Sequence, residues 1–236
     1  MHPIHLTGFQ QIDFLSLKPQ LLYSGRRDTK NIMHYHDWTG LIDALKDAYC
    51  VVLHHGKISQ TYSTVYYDSP DLVFYMAHHN GHGNRTKMRT RTYSDGQSFF
   101  EIKQKTNKGL TIKERYQEPT DQFNGLIPQI EVVYDRITMY DKNFDEKLTF
   151  DFNLSFRNNQ SEIRFDSIVI AETKKMKFTH STFVNEIKSK KIESNSLSKY
   201  CLGMASLNPN LKQNNFKAVL HAINKLKNKY ELASNY

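Results

Sequence analysis

The stretch Lys87-Met-Arg-Thr-Arg91 carries a charged side chain on every second residue, and three further stretches have the same pattern. They are Glu101-Ile-Lys-Gln-Lys105, Thr111-Ile-Lys-Glu-Arg115 and Glu172-Thr-Lys174. Because successive side chains of a strand point to opposite faces, each stretch directs its charges to one face of a sheet. Neighbouring strands that present lysine and arginine to one face are costly unless an anion lies there. The pattern therefore predicts a barrel whose cationic interior suits a row of phosphates.

The composition favours one β-rich domain that spans residues 1–236. Of the 236 residues, 39% are hydrophobic and 12% aromatic, which is enough for one sizeable core. The 14 tyrosines and 14 phenylalanines favour strands over a helical bundle. The formal net charge of +8 is compatible with solubility or with weak affinity for nucleic acid. We predict instead that the excess charge is concentrated in a phosphate site.

The chain lacks the sequence marks of secretion or membrane insertion. Cys50 and Cys201 lie far apart and match no metal-ligand spacing, which indicates buried thiols in a reducing compartment. The N-terminal residues show no cationic start followed by an apolar run. No stretch approaches the roughly 20 apolar residues that span a bilayer. We therefore predict a soluble, cytoplasmic protein.

Hydrophobic periodicity predicts strands through most of the chain and helices at both ends. Residues 4–17 read as a short amphipathic helix, and Asp37 reads as the cap of a helix that continues to Ala48. The predicted strands include 22–34, 62–67, 85–93, 97–106, 110–117, 147–156 and 168–174. Asn107-Lys-Gly109 predicts a tight hairpin. Phe216, Val219, Leu220 and Ile223 have the spacing of a C-terminal helix.

Five charged residues on these strands are the candidate site. Arg89 and Arg91 share a strand face, and the planar fork of arginine grips phosphate oxygens in pairs. Lys105 and Lys113 lie across the hairpin and face the same space. Glu172 follows an apolar run and could hold a divalent metal that bridges phosphate oxygens. The alternatives are a solvated sheet face with scattered salt bridges and a plain ion pair between Glu172 and Lys174.

The histidines and the aromatic residues give weaker signals. His78, His79 and His82 form an HHxxH pattern in a predicted loop, but no cysteine joins them, so zinc is disfavoured. Tyr93 and Tyr116 could stack on nucleic-acid bases, but they flank strand ends rather than line one face. Nucleic acid is therefore the less favoured partner.

Several stretches, in this order, resemble the VTC domain, the polyphosphate-polymerase branch of the triphosphate tunnel metalloenzymes. The matching text is Arg26-Arg-Asp-Thr-Lys30, Tyr66-Tyr-Asp-Ser-Pro-Asp71, Asn84-Arg-Thr-Lys-Met-Arg-Thr-Arg-Thr-Tyr93, Phe100-Glu-Ile-Lys-Gln-Lys-Thr-Asn-Lys-Gly109, Thr111-Ile-Lys113, Tyr134-Asp-Arg136, Leu148-Thr-Phe-Asp151, Glu172-Thr-Lys174 and Ser198-Lys-Tyr200. Each piece alone is weak, but their order and spacing together are specific. The resemblance covers most of the chain.

The resemblance implies an α+β fold, an eight-stranded antiparallel β-barrel tunnel with flanking helices that include a C-terminal one. It implies transfer of the γ-phosphoryl group of ATP to a growing inorganic polyphosphate chain, with Mn²⁺ or Mg²⁺ as cofactor. ATP, polyphosphate and tripolyphosphate would be the ligands. The family's catalytic, phosphate-binding cations correspond to Lys30, Arg89, Arg91, Lys105, Lys113, Arg136 and Lys199, and its metal-holding glutamate corresponds to Glu172. From its place beyond the last strand, Lys199 is expected at a mouth of the tunnel.

The first predicted strand departs from the hydrolytic branch of the same superfamily. Those enzymes carry two carboxylates and a lysine there, whereas this chain has Arg26 in the place of the first carboxylate. The exchange removes metal-binding capacity, adds phosphate affinity and favours the polymerase. Two alternatives stay open: an inorganic triphosphatase or short-chain polyphosphatase of the same fold, and a non-catalytic polyphosphate-binding module. The sequence does not tell whether a membrane-protein partner is needed.

Overall fold

The computed structural model describes residues 6–17, 26–176 and 180–233. Within them, one sheet of 11 strands is flanked by helices. The strands are β1 (Gln10–Asp13), β2 (Arg26–His34), β3 (Tyr49–Leu53), β4 (Ser59–Asp68), β5 (Arg85–Tyr93), β6 (Ser98–Lys105), β7 (Thr111–Tyr116), β8 (Ile127–Asp141), β9 (Glu146–Arg157), β10 (Glu162–Phe165) and β11 (Ile168–Met176). The α-helices are α1 (Tyr35–Ile42), α2 (Val73–His79), α3 (Thr182–Ser189), α4 (Lys199–Leu207) and α5 (Lys217–Ala233).

Eight strands form one continuous antiparallel path. Its order is β2-β11-β9-β8-β4-β5-β6-β7. The short strands β1, β3 and β10 pair outside this path, and β1 runs parallel to β3. Within the described residues, the end strands β2 and β7 do not pair with each other. The antiparallel sheet with flanking helices is therefore confirmed, but the predicted closure into an eight-stranded barrel is not, because the sheet is open and has 11 strands.

The open sheet nevertheless curls around an interior. The charge of Glu172 on β11 acts on Lys103 of β6, and the charge of Lys113 on β7 acts on Lys147 of β9. Four strands separate each of these pairs along the path. Since such interactions fall off with distance, the two ends of the sheet must face each other across a shared space. We call the surfaces that line this space the interior face.

Two hydrophobic clusters fix the helices on the sheet. Trp38 and Leu41 of α1 and Phe183 of α3 pack with Phe150 and Val169 on the outer face. A second cluster joins α4 to the interior face of β4, β8 and β9. At Gly203 of α4 a Cβ atom would lie 2.4 Å from side-chain atoms of both Ile130 and Phe156, so only glycine allows this close approach. One end of the interior is therefore filled by apolar side chains under α4.

A β-bulge divides β9 into two parts. Val133 of β8 faces Ser155, but Asp135 faces Phe152, so β9 carries one extra residue between them. Asn153 adopts a positive φ of 51° at this point, and its side chain donates a 2.8 Å hydrogen bond to Asp135. The bulge lets Asp151 and Phe156 face the same interior, although their positions differ by an odd number.

Three local expectations need correction. Residues 10–13 form β1 followed by a 3₁₀ turn, not an amphipathic helix, because they pair with β3; residues 4–5 lie outside the described range. α1 begins at Tyr35 with His34 as its cap, rather than at Asp37, and a 3₁₀ turn follows it at Asp43–Leu45. His78 and His79 end α2 instead of lying in a loop.

Other local expectations are confirmed. The turn at Asn107–Gly109 connects β6 and β7, and Gly109 has a φ of 78°. The C-terminal helix is α5. Residues 22–25 of the first predicted strand lie outside the described range. None of the described helices has both the length and the apolar character required to cross a bilayer.

Candidate active site

Three neighbouring strands bring three lysines into one row. Lys87 on β5 lies opposite Lys103 on β6, which lies opposite Lys113 on β7. These three residues are called the lysine row. Each side chain belongs to the alternating set that faces the interior, so the row follows directly from strand parity and hairpin register.

Two lysines of the row are not neutralised by a carboxylate. Lys87 donates a 2.8 Å hydrogen bond to Ser198, and neither Lys87 nor Lys103 forms an ion pair with a described carboxylate. Burial, followed by the charges of Lys87 and Lys113, lowers the pKa of Lys103 to about 8. Burial likewise lowers the pKa of Lys87. Because Lys103 is reached by solvent yet surrounded by like charges, it lies in a hollow that favours an anion.

Two residues further along the same strands, on the same face, arginines surround Glu101. Glu101 receives hydrogen bonds from Arg89 at 2.7 Å and from Arg115 at 2.6 Å, and Arg91 lies 4.0 Å away. Burial opposes ionisation of Glu101, but Arg89 and Arg91 outweigh it and lower its pKa to about 2. Arg89 also donates to the hydroxyl of Tyr66 at 3.3 Å. Glu101 thus holds several guanidinium groups in place, and their total positive charge exceeds its own negative charge.

The facing wall carries carboxylates that are closely paired with cations. Glu172 on β11 accepts a hydrogen bond from Lys174 and lies 3.9 Å from Lys30, its partner in register on β2. Burial opposes ionisation, but Lys174 and Lys30 hold the pKa of Glu172 well below its usual range. Asp28 lies opposite Lys174 in register. The residues Asp28, Asp151 and Glu172 on β2, β9 and β11 are called the carboxylate side.

Asp151 is the most deeply buried member of the carboxylate side. Its side chain is 0% exposed and accepts hydrogen bonds from Arg136 at 2.5 Å and 2.8 Å, and from Lys199. Despite burial, these two cations lower the pKa of Asp151. Lys199 is the first residue of α4, so the pair ties the helix to the sheet inside the interior rather than at a free mouth.

Lys147 is a further cation of the interior. It lies on β9 opposite Lys174 and packs on the ring of Tyr140 at 5.5 Å. Burial, and then the charges of Arg136 and Lys174, lower its pKa to about 8. Within the described part of the chain, no carboxylate forms an ion pair with it. Lys147 therefore resembles Lys103 on the opposite side of the space.

Aromatic rings support several of these cations. Tyr62 and Tyr134 stack with centroids 5.3 Å apart, and the guanidinium of Arg136 lies 5.1 Å from the first ring and 5.2 Å from the second. Arg91 lies 5.2 Å from Tyr62, and Lys199 lies 4.5 Å from Tyr134. These cation–π contacts orient the side chains without neutralising their charge.

The carboxylate side offers oxygen donors of the kind that divalent metals prefer. Among the described residues, no group of three or more histidine, cysteine or acidic side chains is placed to hold an ion by itself. Mg²⁺ is commonly held by one or two carboxylates together with substrate phosphates and water. Glu172, with Asp28 one register step away, supplies that donor set. Its ion pair with Lys174 would have to yield to the metal.

The structure brings all the predicted site residues to the interior face. They are Lys30, Arg89, Arg91, Lys105, Lys113, Arg136, Glu172 and Lys199. Lys105 lies one step beyond the lysine row, opposite Arg85 and Thr111. The side chain of Arg26 lies outside the described part of the chain.

The sequence argument missed Lys87, Lys103, Lys147, Lys174 and Asp151 as site residues. Lys87 and Lys103 stand in the quoted alternating stretches, and hairpin register would have selected them. Lys147 and Asp151 alternate with the apolar residues by which β9 was recognised as a strand. The second face of β9 could therefore have been identified as charged from the sequence.

A family model described as VTC domain matches residues 25–132 and 118–208, which together cover most of the chain. No curated protein matches the sequence. Two solved structures share a distant likeness. The putative adenylyl cyclase HpAC1 from Hippeastrum, described as having a dominant triphosphatase activity, is 11% identical, with 76% of this chain and 96% of that chain covered and a TM-score of 0.44. The Mediator head module of Schizosaccharomyces pombe is 7% identical, with 70% and 90% covered and a TM-score of 0.38. Both are too distant to carry an argument about function.

Proposed function

The chain belongs to the VTC domain family, and from this premise we propose that it is a polyphosphate polymerase. In this proposal the eight-strand path encloses its substrates as a tunnel. The reaction transfers the γ-phosphoryl group of ATP to the terminal phosphate of an inorganic polyphosphate chain and releases ADP. An oxygen of the terminal phosphate forms the new P–O bond while the bond between the γ-phosphorus and the β–γ bridging oxygen breaks.

The uncompensated lysines carry this proposal. Lys87, Lys103 and Lys147 lie in one interior, form no ion pair with a described carboxylate, and have pKa values that burial and neighbouring cations lower. Such an arrangement is costly in the free protein and is relieved by a ligand with many negative charges. A polyphosphate chain carries one or more negative charges on each phosphate. It is therefore the ligand class whose spacing of negative charges matches the spacing of these lysines.

Each part of the interior has a distinct task in phosphoryl transfer. Arg89 and Arg91 bind and orient the triphosphate, since paired guanidinium donors fit phosphate oxygens. The lysine row stabilises charge on the transferring group, which is the main demand of this chemistry. Glu172 would hold Mn²⁺ or Mg²⁺, which supplies further neutralisation of the phosphate oxygens. Arg136 and Lys199, fixed by Asp151, bind the acceptor chain near α4.

Hydrolysis of triphosphate or short polyphosphate is the alternative. Hydrolase and polymerase use the same site and differ only in the attacking oxygen.

Product analysis tests the proposal directly. The protein is incubated with ATP and Mn²⁺, or with tripolyphosphate and Mn²⁺, and the products are resolved by size on a gel. We expect a ladder of long chains from ATP. Orthophosphate from either substrate without a ladder would replace the polymerase by the hydrolase. A thermal shift with tripolyphosphate but no product would indicate a non-catalytic binding module.

The control for this assay keeps the fold and removes the expected metal ligand. Glu172→Gln retains the shape of the side chain, so a ladder that persists unchanged in this variant would come from a contaminating enzyme or from a metal held elsewhere. Glu118→Gln, in an exposed loop, controls for preparation effects.

A further inference from the structure

Three side chains at one end of the interior contact one another and form a built surface. The guanidinium of Arg115 lies 4.7 Å from the ring centre of Phe99, and Phe99 meets Tyr93 edge-on at 6.1 Å. Arg115 is held in its plane by a 2.6 Å hydrogen bond to Glu101 and a 3.0 Å hydrogen bond to the Tyr93 hydroxyl. We call Tyr93, Phe99 and Arg115 the aromatic platform.

The platform offers accessible surface despite these contacts. The Arg115 side chain is 50% exposed. Its guanidinium lies 4.7 Å from the ring centre of Phe99 and 6.0 Å from that of Tyr93, and its Nε and Nη2 atoms are engaged, so the accessible part is the surface that these contacts leave uncovered. Tyr93 and Phe99 are themselves half-buried. A fixed guanidinium plane backed by an aromatic ring is a surface on which nucleobases stack.

The platform and the phosphate cations follow one another in a fixed order along β6. Phe99, Glu101 and Lys103 point to the same face, and Glu101 marks the position of the arginines. Two residues of a strand span about 6.6 Å, so the lysine row lies about 13 Å from Phe99. This order of aromatic surface, guanidinium groups and ammonium groups matches the order of base, inner phosphates and terminal phosphate in a nucleoside triphosphate.

We propose that the aromatic platform binds the purine base of ATP and so fixes the direction in which the nucleotide enters the interior. The base stacks on Arg115, the α- and β-phosphates contact Arg89 and Arg91, and the γ-phosphate reaches the lysine row opposite Glu172. The acceptor chain then meets the γ-phosphate beside Arg136 and Lys199. This inference rests on the proposed function, since it assigns the nucleotide half of the same site.

The test compares ATP with tripolyphosphate, which has the same phosphates but no base. Affinities are measured by calorimetry with EDTA present, so that no turnover occurs. Arg115→Lys keeps the charge and removes the planar surface, and Phe99→Leu removes the ring that supports it. We expect ATP affinity to fall about five- to tenfold in both variants, while tripolyphosphate affinity stays within twofold of the wild-type value.

Phe100→Leu is the matched control. Phe100 is the next residue of β6, faces the other side of the sheet and packs on Phe123 at 5.3 Å. This variant also loses one phenyl ring, but on the other face, and it should leave the ratio of the ATP and tripolyphosphate affinities unchanged. The wild-type protein should also bind ATP more tightly than CTP, because purines stack better than pyrimidines, and this preference should shrink in Phe99→Leu.

The outcomes separate the platform from the function it serves. Equal losses for ATP and tripolyphosphate, or unchanged ATP affinity in both variants, overturn the platform while the polymerase proposal stands. A wild-type protein that binds neither ligand overturns both.

Discussion

The lysine row and the carboxylate side face each other across the interior, yet their cations are held in different ways. Lys87 and Lys103 stand among other cations, and burial with like charge lowers their pKa values. Across the space, Lys174 and Lys199 contact the carboxylates of Glu172 and Asp151. Lys87 and Lys103 therefore lack a paired carboxylate, whose charge a ligand can supply, whereas Lys174 and Lys199 already have one; Lys147 on β9 is the exception on that side. Under the proposed function, phosphate would bind first to Lys87 and Lys103, whereas Lys174 and Lys199 are already held in position.

The largest effect should come from the carboxylate that faces the lysine row. Glu172→Gln removes the charge proposed to hold the metal and keeps the side-chain shape. We expect turnover to fall about a hundredfold or more, because metal stabilisation of phosphoryl transfer is worth several kcal/mol. Tripolyphosphate affinity should be retained or increased, since one negative charge has left a polyanion site. Steady-state rates and calorimetry measure the two effects. Near-normal turnover would place the metal elsewhere, with Asp28 as the next residue to change.

A change of Asp151 tests the claim that the cations on the carboxylate side are already paired with carboxylates before a ligand binds. Asp151→Asn leaves Arg136 and Lys199 buried without their carboxylate, and we expect a loss of about 3 kcal/mol in the free energy of unfolding. Urea denaturation measures it, with the exposed Asp121→Asn as control. Saturating tripolyphosphate should stabilise Asp151→Asn more than the wild-type protein, because the ligand replaces the missing negative charge. Equal stabilisation of both proteins would show a packing defect rather than a charge effect.

Lys103→Met tests the opposite wall. A hydrogen bond to a charged group contributes about 1.5–3 kcal/mol, so we expect tripolyphosphate affinity to fall at least tenfold. The ligand-free variant should melt at the same temperature as the wild-type protein or higher, because repulsion with Lys87 and Lys113 is removed. Lys108→Met, in the exposed hairpin, is the control. A lower melting temperature combined with unchanged affinity would contradict the contrast between the two walls.

The smallest expected effect is the dependence of binding on pH. The pKa values of Lys103 and Lys147 are lowered to about 8, so both lysines lose protons as the pH rises through 8. Because a phosphate ligand favours the protonated amines, ATP affinity should fall several-fold between pH 7 and pH 9.5, and binding near pH 8.5 should take up protons. Calorimetry in two buffers of different ionisation enthalpy measures the uptake. Proton release, or uptake that persists in the Lys103→Met, Lys147→Met double variant, would assign the linkage to other groups.

Strand parity allowed several candidate residues to be placed on one face from the sequence alone. Arg89, Arg91 and Lys113 could be placed on one face because alternation is local and the Asn107–Gly109 hairpin sets the register. Glu172 was recognised by its position after an apolar run. Arg136 and Lys199 were reached only through the resemblance, since nothing in their local sequence links them. Asp151, which holds both, depends on contacts between residues far apart in the chain.

Non-local pairing also explains the errors in the fold. Residues 4–17 were expected to form an amphipathic helix, but a parallel pairing with β3 makes residues 10–13 a strand. Helix propensity is a weak prior that such pairing overrides. The resemblance implied eight strands, whereas the sheet has 11, because the short strands β1, β3 and β10 pair off the main path.

The bulge at Asn153 changes which residues of β9 face the interior: odd-numbered residues before it and even-numbered residues after it. Before it, the odd-numbered residues Lys147 and Asp151 point inward and make a wet, charged lining. After it, the even-numbered residues Leu154 and Phe156 point inward and make a dry lining under α4. Deleting one residue there would restore a single phase and turn Leu154 and Phe156 away from α4. A single inserted residue thus gives one strand a charged part and an apolar part on the same face of the sheet, and it marks the boundary between these two parts of the interior along β9.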